Sequence, residues 1–296
     1  MIMARYLCFD IGGTSLKYAL INESAEIIHQ WEQPTQAHLG GPFILQTVCE
    51  IVKHLKQGNE LLGVAISTAG MVNPEEGSIF YAGTQIPNYA GTQFKKVIEE
   101  EFALPCEVEN DVNCAGLAEG ISGAGKDASI SVCLTIGTGI GGCILLDKKV
   151  FHGFSNSACE VGYMHHGKVS FQDLASTTAL VQRVSQLKQE DISKWNGRKI
   201  FELAKAGDVK CEKAIQELVE ALCEGISNIC CVLNPEVVIL GGGIMTQVAY
   251  LRPLFEQTLP KYLISSILEK TTLTFAKHQN NAGFLGAFYH FKQKHP

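Results

Sequence analysis

Charge is scarce in this sequence: Asp, Glu, Lys and Arg make up 18% of its 296 residues, and acid exceeds base to leave a formal charge of −6. The basic footprint by which nucleic acid or an anionic membrane surface is bound is missing, so any anion must be held locally. No apolar run reaches the roughly 18 residues of a membrane-crossing helix. The start, Met1-Ile2-Met3-Ala4-Arg5, lacks the basic-then-apolar layout of a signal peptide, and the expectation is a soluble, cytoplasmic chain. No C-x-x-C pair occurs among the 11 cysteines. Their odd number and apolar settings, as in Val132-Cys133-Leu134, predict reduced core thiols rather than disulfides. Linkers, low-complexity tracts and charged tails are missing too. What is plentiful is apolar: 46% of residues are hydrophobic, enough for a sizeable core in two domains of ordinary size but few for three.

Alternation and β-branching predict strands near 5–10, 16–22, 61–67 and 105–109, with a further pair at about 129–135 and 142–147. Helical spacing predicts helices near 42–57 and 90–102. Asp111 is placed to open a helix through Val112, Ala115 and Ala118. Asp208 is placed to cap a long one, carrying Ala214, Leu218, Leu222, Ile226, Ile229 and Leu233 on one face and stopped by Asn234-Pro235. Val237-Val238-Ile239-Leu240 follows as a buried strand. The class is α/β. One unit recurs: Phe9-Asp10-Ile11-Gly12-Gly13-Thr14 before an apolar run, and Leu134-Thr135-Ile136-Gly137-Thr138-Gly139 before another. This echo of strand, glycine-threonine turn and strand predicts two related lobes, each offering a tight hairpin to a shared cleft.

Such hairpins have a chemical use. Gly12, Gly13, Gly137, Gly139 and Gly141 let the backbone approach an anion without a Cβ in the way, and Thr14 and Thr138 add hydroxyl donors, so the pair suits phosphate oxygens better than two ordinary turns. Neither hairpin fits a G-x-x-x-x-G-K-[ST] loop or a strand-to-helix G-x-G-x-x-G turn. Asp10 could hold a hydrated magnesium ion or simply cap its turn. Lys17 could reach a phosphate or be solvated. Gly241-Gly242-Gly243 follows a buried strand, opens a helix and permits close approach of a nucleoside. Glu109-Asn110-Asp111-Val112-Asn113 places a carboxylate at a strand end, able to accept a proton from a substrate hydroxyl or to cap a helix.

Taken in order, FDIGGT, ENDVNCAGLAEG, LTIGTGIGG, VVILGGGI and NAGFLGAFYHF resemble the ROK family of bacterial sugar kinases and sugar-responsive repressors over residues 5–291. The resemblance implies a two-lobed actin-like ATPase (ribonuclease H-like) fold with duplicated βββαβα-type lobes and an interlobe cleft. Its smaller lobe would be 1–114, joined by a C-terminal helix at 281–296, and its larger lobe 115–280. It further implies ATP phosphates held at 10–14 and 137–142, adenosine at Gly241, Gly242 and Gly243, Asp111 as catalytic base, and magnesium near Asp10 through water. Gly83, Asn110, Asp111 and Glu160 would bind the sugar, and a homodimer is expected. The small residues Ala282, Gly283, Gly286 and Ala287 suit a close helix contact whether or not the family applies.

The departures matter as much. Most members carry E-x-G-H before a zinc loop with C-x-C-G-x-x-G-C; here Glu160-Val161-Gly162-Tyr163 stands instead, and no cysteine follows from 164 to 175. His165 and His166 without thiolates make a poor tetrahedral set, so no zinc is expected. Gln172 stands where the family's sugar-binding glutamate would. Tyr163, the missing loop and the ending at 277–287 resemble the β-glucoside kinase branch, which phosphorylates the 6-hydroxyl of the non-reducing glucose in cellobiose-like sugars. Zinc-free N-acetylmannosamine kinases and other glucose or fructose kinases are the alternatives, with a non-catalytic sugar-sensing protein more remote. A repressor would need a helix-turn-helix segment ahead of Arg5, for which the sequence offers no room.

Overall fold

The computed structural model describes residues 5–296, so the signal-peptide reading of the first four residues lies outside the described residues. The chain divides into two compact units. The first runs to Ile121 and adds His152–Ala158 and Asn280–Pro296; the second comprises Ser122–Phe151 and Cys159–Gln279.

In the first unit, β1 (Arg5–Ile11) and β2 (Ser15–Ile21) form an antiparallel hairpin, extended at its edge by β3 (Ile27–Pro34). Helix α1 (Gly41–Lys56) leads to β4 (Leu61–Thr68), parallel to β1. A small hairpin, β5 (Met71–Asn73) and β6 (Ser78–Tyr81), precedes α2 (Phe94–Phe102), β7 (Cys106–Asn110) parallel to β4, and α3 (Asp111–Ser122). The sheet order is β3-β2-β1-β4-β7. Helix α2 starts later than the spacing predicts, because Asn88 and Gly91 take positive φ and keep 87–91 in turns.

Strand alternation sorts the core. Leu7, Phe9 and Ile11 face Ile44, Val48 and Ile98, from α1 and α2, while Tyr6 and Cys8 face Cys114, Ala118 and the C-terminal helix residues Ala287 and Phe288. Helices on both faces explain why β1 reads as a nearly continuous apolar run.

The second unit repeats the plan. Strands β8 (Ile130–Ile136), β9 (Ile140–Leu146) and β10 (Lys149–Val150) form the antiparallel half. A short hairpin, β11 (His165–His166) and β12 (Val169–Ser170), leads to α4 (Phe171–Ala175), α5 (Thr177–Lys188), α6 (Gly197–Lys205) and α7 (Val209–Leu233). Strand β13 (Val237–Gly241) lies parallel to β8, then come α8 (Val248–Thr258), α9 (Ser265–Leu268) and β14 (Thr272–Phe275), parallel to β13. The order β10-β9-β8-β13-β14 matches the first sheet strand for strand. Asp208 caps α7 through the amides of Lys210 and Cys211, and Asn234 ends it in the left-handed region before Pro235. After β13 the chain forms a 3-10 turn at Gly243–Thr246, so α8 opens seven residues beyond Gly241 rather than at the glycines.

Helix α10 (Ala282–Lys294) belongs to the first unit and lies against β1, β4 and β7. The approach requires glycine: a Cβ on Gly286 would sit 1.8 Å from the Cys114 carbonyl oxygen, and one on Gly283 2.3 Å from the Asp10 carboxyl. No helix among the described residues is long and apolar enough to cross a membrane.

Candidate active site

The sequence-predicted residues fall into two sets, one in each unit. In the first, the turn between β1 and β2 is closed by Gly12 N–H donating to the Ser15 carbonyl at 3.0 Å. Thr35, a buried residue the sequence reading passed over, braces it twice: its hydroxyl donates to the Gly12 carbonyl at 2.7 Å and its amide to the Thr14 carbonyl at 3.0 Å. Gly13 and Thr14 are exposed at the tip, open to a ligand. Asp10, at the end of β1, accepts a bond from Ser67 Oγ at 2.9 Å. Burial pushes its carboxyl up, opposed by Ser67 and by Lys17, its register partner on β2. Lys17 is half-buried and also lines a cavity of about 250 Å³ with Trp31 and Phe284.

The segment from Glu109 to Asn113 ends β7 and begins α3. Asn110 caps this helix, its Oδ1 accepting from the amides of Val112 at 2.9 Å and Asn113 at 3.1 Å, while Asp111 Oδ1 shares the Val112 amide at 2.9 Å. Asn110 Nδ2 donates to the Gly70 carbonyl at 2.9 Å and to Asp111 Oδ1 at 3.0 Å. Both of these bonds to Asp111 fall on Oδ1, which leaves Oδ2 for chemistry. Burial and the adjacent charge of Asp10 push its carboxyl up to about 7, against bonds from the Val112 amide and Asn110. A carboxylate poised near neutrality suits a general base. Gly83 lies exposed just beyond β6, with no atom within 4 Å of where its Cβ would stand.

In the second unit, a cavity of about 630 Å³ is lined by Gly137 and Thr138 of the β8–β9 turn, Thr177 and Thr178 at the start of α5, Asn196, Gly197 and Arg198 at the start of α6, and Gly243. Two helix N-termini beside a glycine-threonine turn present free amide donors and positive dipole ends, a setting for phosphate. Trp195 and Phe201 add aromatic wall. The Trp195-Asn196-Gly197-Arg198 stretch escaped the sequence reading; its signal was Asn196, whose Oδ1 caps α6 through the Lys199 amide at 2.9 Å. Of the three consecutive glycines, Gly242 is required by the fold itself, with φ +104° and a would-be Cβ 2.2 Å from the Ile136 carbonyl. Gly241 ends β13 with ordinary packing room, and Gly243 faces the cavity. Gly139 lies in the β8–β9 turn, whereas Gly141 lies within β9 opposite Thr135.

Gln172 wedges between two glycines: its Oε1 stands 2.6 Å from a would-be Cβ of Gly139 and 3.1 Å from one of Gly162. It therefore packs between the β8–β9 turn and the segment carrying Glu160 and Tyr163. Glu160 is exposed yet sufficiently desolvated for its carboxyl to be raised, and Tyr163 is 56% exposed. His166 stacks on Phe171 at 5.4 Å and lies 3.4 Å from Glu224, while His165 points to solvent. No group of three or more His, Cys, Asp or Glu able to hold a metal occurs among the described residues.

The chain matches the ROK family model over residues 6–294. It is 49% identical over 291 residues to a Clostridium perfringens protein described as uncharacterized, covering 98% of this chain and 99% of that one. It is 34% identical to the β-glucoside kinase of Listeria monocytogenes, covering 97% of each. Among solved structures, a Listeria monocytogenes protein provisionally described as an N-acetylmannosamine kinase superposes with TM-score 0.87 at 31% identity, over 99% of this chain and 100% of that one. With both five-stranded sheets in the same order and a family match across nearly the whole chain, this protein belongs to the ROK family and has the actin-like ATPase fold.

Proposed function

We propose that this ROK sugar kinase transfers the γ-phosphoryl group of ATP to the 6-hydroxyl of the terminal glucose of a β-glucoside such as cellobiose. The observation that carries the chemistry is Asp111, whose hydrogen bonds from the Val112 amide and Asn110 fall on Oδ1 alone and whose carboxyl is poised near neutrality at the end of β7. It accepts the hydroxyl proton as the oxygen attacks phosphorus. The cavity beside Gly137, Thr138 and Gly243 takes the nucleotide, and the turn at 12–14 takes phosphate oxygens. Asp10 fits a magnesium ion held through water: it is a single strand-end carboxylate fixed by Ser67, and its charge opposes that of Asp111 unless a cation intervenes. The ion supplies neutralisation of phosphate charge when bound. Asn110 and Gly83 are the first unit's candidates for sugar hydroxyls, and Glu160, Gln172 and Tyr163 are the second unit's.

The β-glucoside assignment is supported by Tyr163, whose exposed ring offers stacking area to a second sugar or aryl group, and by the 34% identity to the Listeria β-glucoside kinase. A second reading, an N-acetylmannosamine kinase, is favoured by the TM-score of 0.87 to a protein provisionally so described. An acceptor panel of cellobiose, gentiobiose, salicin, glucose, fructose and N-acetylmannosamine separates them. Cellobiose should exceed glucose in kcat/KM, and Tyr163→Ala should narrow that gap. Preference for N-acetylmannosamine with no turnover of the three glucosides rejects the β-glucoside reading and keeps the kinase.

A further inference from the structure

Glu109 is a fully buried carboxylate that the chemistry above does not use. Four groups face it. Oε1 accepts from the Asn110 amide at 2.7 Å and from Asn113 Nδ2 at 3.0 Å; Oε2 meets His152 Nε2 at 2.6 Å, with His290 Nδ1 at 3.8 Å. The first pair holds the residues on either side of Asp111 in the opening turn of α3. The second pair brings two imidazoles to the other oxygen: burial raises the Glu109 carboxyl, but His152, His290 and Asn113 outweigh this and hold it below the ordinary glutamate range, while burial holds His290 itself below the ordinary imidazole range.

His152 comes from an unusual place in the chain. It opens the short excursion His152–Ala158, which belongs to the first unit although both flanks belong to the second. The excursion is pinned at its ends: the Ala158 amide donates to the His152 carbonyl at 3.1 Å, and Ser157 Oγ reaches Met71 Sδ at 3.7 Å. Immediately after it come Cys159 and Glu160.

We propose that His152 is a positioning residue for phosphoryl transfer, acting through Glu109 to hold the Asn110-Asp111 turn in its reactive geometry. The route is short and continuous: imidazole to Glu109, Glu109 to the Asn110 amide, and Asn110 Nδ2 to Asp111 Oδ1 at 3.0 Å. Without the imidazole, Oε2 loses its shortest partner and the carboxylate must be protonated or drawn away from Asn110. Misplacement of a reacting group by about 1 Å can cost on the order of 100-fold in rate.

The inference rests on Asp111 being the base, and the test separates the two. Steady-state kinetics with ATP and the fastest acceptor of the panel are measured for Asp111→Asn, His152→Ala, His152→Gln, Glu109→Gln and the double variant His152→Ala/Glu109→Gln, each beside a thermal melt. His152→Ala should lower kcat roughly 10- to 100-fold with KM for ATP within about twofold. His152→Gln, whose amide nitrogen reaches the position of Nε2, should recover to within about threefold of the parent, which loss of packing alone would not predict. The double variant should be no slower than the slower single variant, because both changes cut one route. If His152→Ala does not fold, His152→Asn, whose amide falls short of Oε2, takes its place. Unchanged kcat in His152→Ala, failure of His152→Gln to recover, or losses that multiply in the double variant overturn the inference. If Asp111→Asn itself keeps the parental rate, the base assignment falls first; if Asp111→Asn is inactive and His152→Ala is not, only the positioning role falls.

Discussion

The two units build the same five-stranded sheet and finish its strands in different chemistry. In the first, β1 ends at Asp10 and β7 runs into Asn110-Asp111. In the second, the matching strand β8 has Thr135 where β1 has Asp10, and β14 runs out at Phe275-Ala276 without a carboxylate. Conversely β13 turns through Gly241-Gly242-Gly243 beside a 630 Å³ cavity, where β4 turns through Ala69-Gly70 and meets Asn110 Nδ2. A duplicated scaffold thus carries different strand ends: both hairpins keep the glycine-threonine turn, while the strand-end carboxylates to which we assign the proton and the magnesium ion, Asp111 and Asp10, stand in the first unit. Function here lies in strand ends rather than in the sheets.

The sharpest way to break this comparison is Asp111→Asn. Turnover should fall by roughly two orders of magnitude or more, while binding of a non-hydrolysable ATP analogue to the second unit's cavity, followed by calorimetry, should stay within about twofold. The same variant should be more stable than the parent. Because the folded-state carboxyl is raised to about 7, the unfolded chain ionises first as pH rises, and stability is lost between about pH 4 and 7. Removing that penalty should add on the order of 1–3 kcal/mol at pH 8 in urea titrations. A destabilised Asp111→Asn would mean that the carboxylate is held for structure.

Next in size is a pair within the three-glycine turn. Gly242→Ala must force a Cβ against the Ile136 carbonyl at positive φ and should cost about 3 kcal/mol of stability. Gly243→Ala should leave the urea midpoint nearly unmoved and instead raise KM for ATP. Equal melting losses in both would remove Gly243 from the nucleotide cavity.

The pH profile offers a third test. With the proton acceptor titrating at about 7, kcat/KM for the acceptor should fall tenfold per unit below that value and level off above it. A flat profile from pH 5.5 to 8 would assign the base elsewhere.

Smaller effects should distinguish the two glycine-threonine turns. Arg198→Ala, at the cavity wall, should raise KM for ATP by roughly tenfold with kcat at saturation nearly kept. Thr35→Val removes a buried donor to the Gly12 carbonyl and should cost about 1 kcal/mol of stability with a few-fold change in KM for ATP. If Thr35→Val lowers kcat as strongly as Asp111→Asn, the first hairpin does more than hold phosphate.

Much of this molecule was legible one residue at a time. Regular period, β-branching and the Gly-Thr turns mark β1, β2, β4, β7, β8, β9, β13, α1 and α7, because buried strands and amphipathic helices leave a local apolar pattern. The repeated hairpin anticipates two related sheets. Strand β3 hid because it is an exposed edge strand, Ile-Ile-His-Gln-Trp-Glu-Gln-Pro, with no inward face to impose alternation. Helix capping at the start of α3 needed coordinates, since Asn110 and Asp111 are equally good caps by residue type and only geometry shows Asn110 taking the amides of both Val112 and Asn113 while Asp111 shares that of Val112. The same holds for the role of each glycine. Composition shows that Gly241, Gly242 and Gly243 permit close approach, whereas the 2.2 Å contact at Gly242 and the open space at Gly243 separate a need of the fold from room for a ligand. Residues far apart in the chain are the limiting case. His152 and Glu109 are separated by 43 positions and share no periodic signal, so the pair exists only because folding returns His152–Ala158 to the first unit. Local chemistry determines which strands and turns can form; long-range packing decides which carboxylate is buried, which is raised to neutrality, and what holds it there.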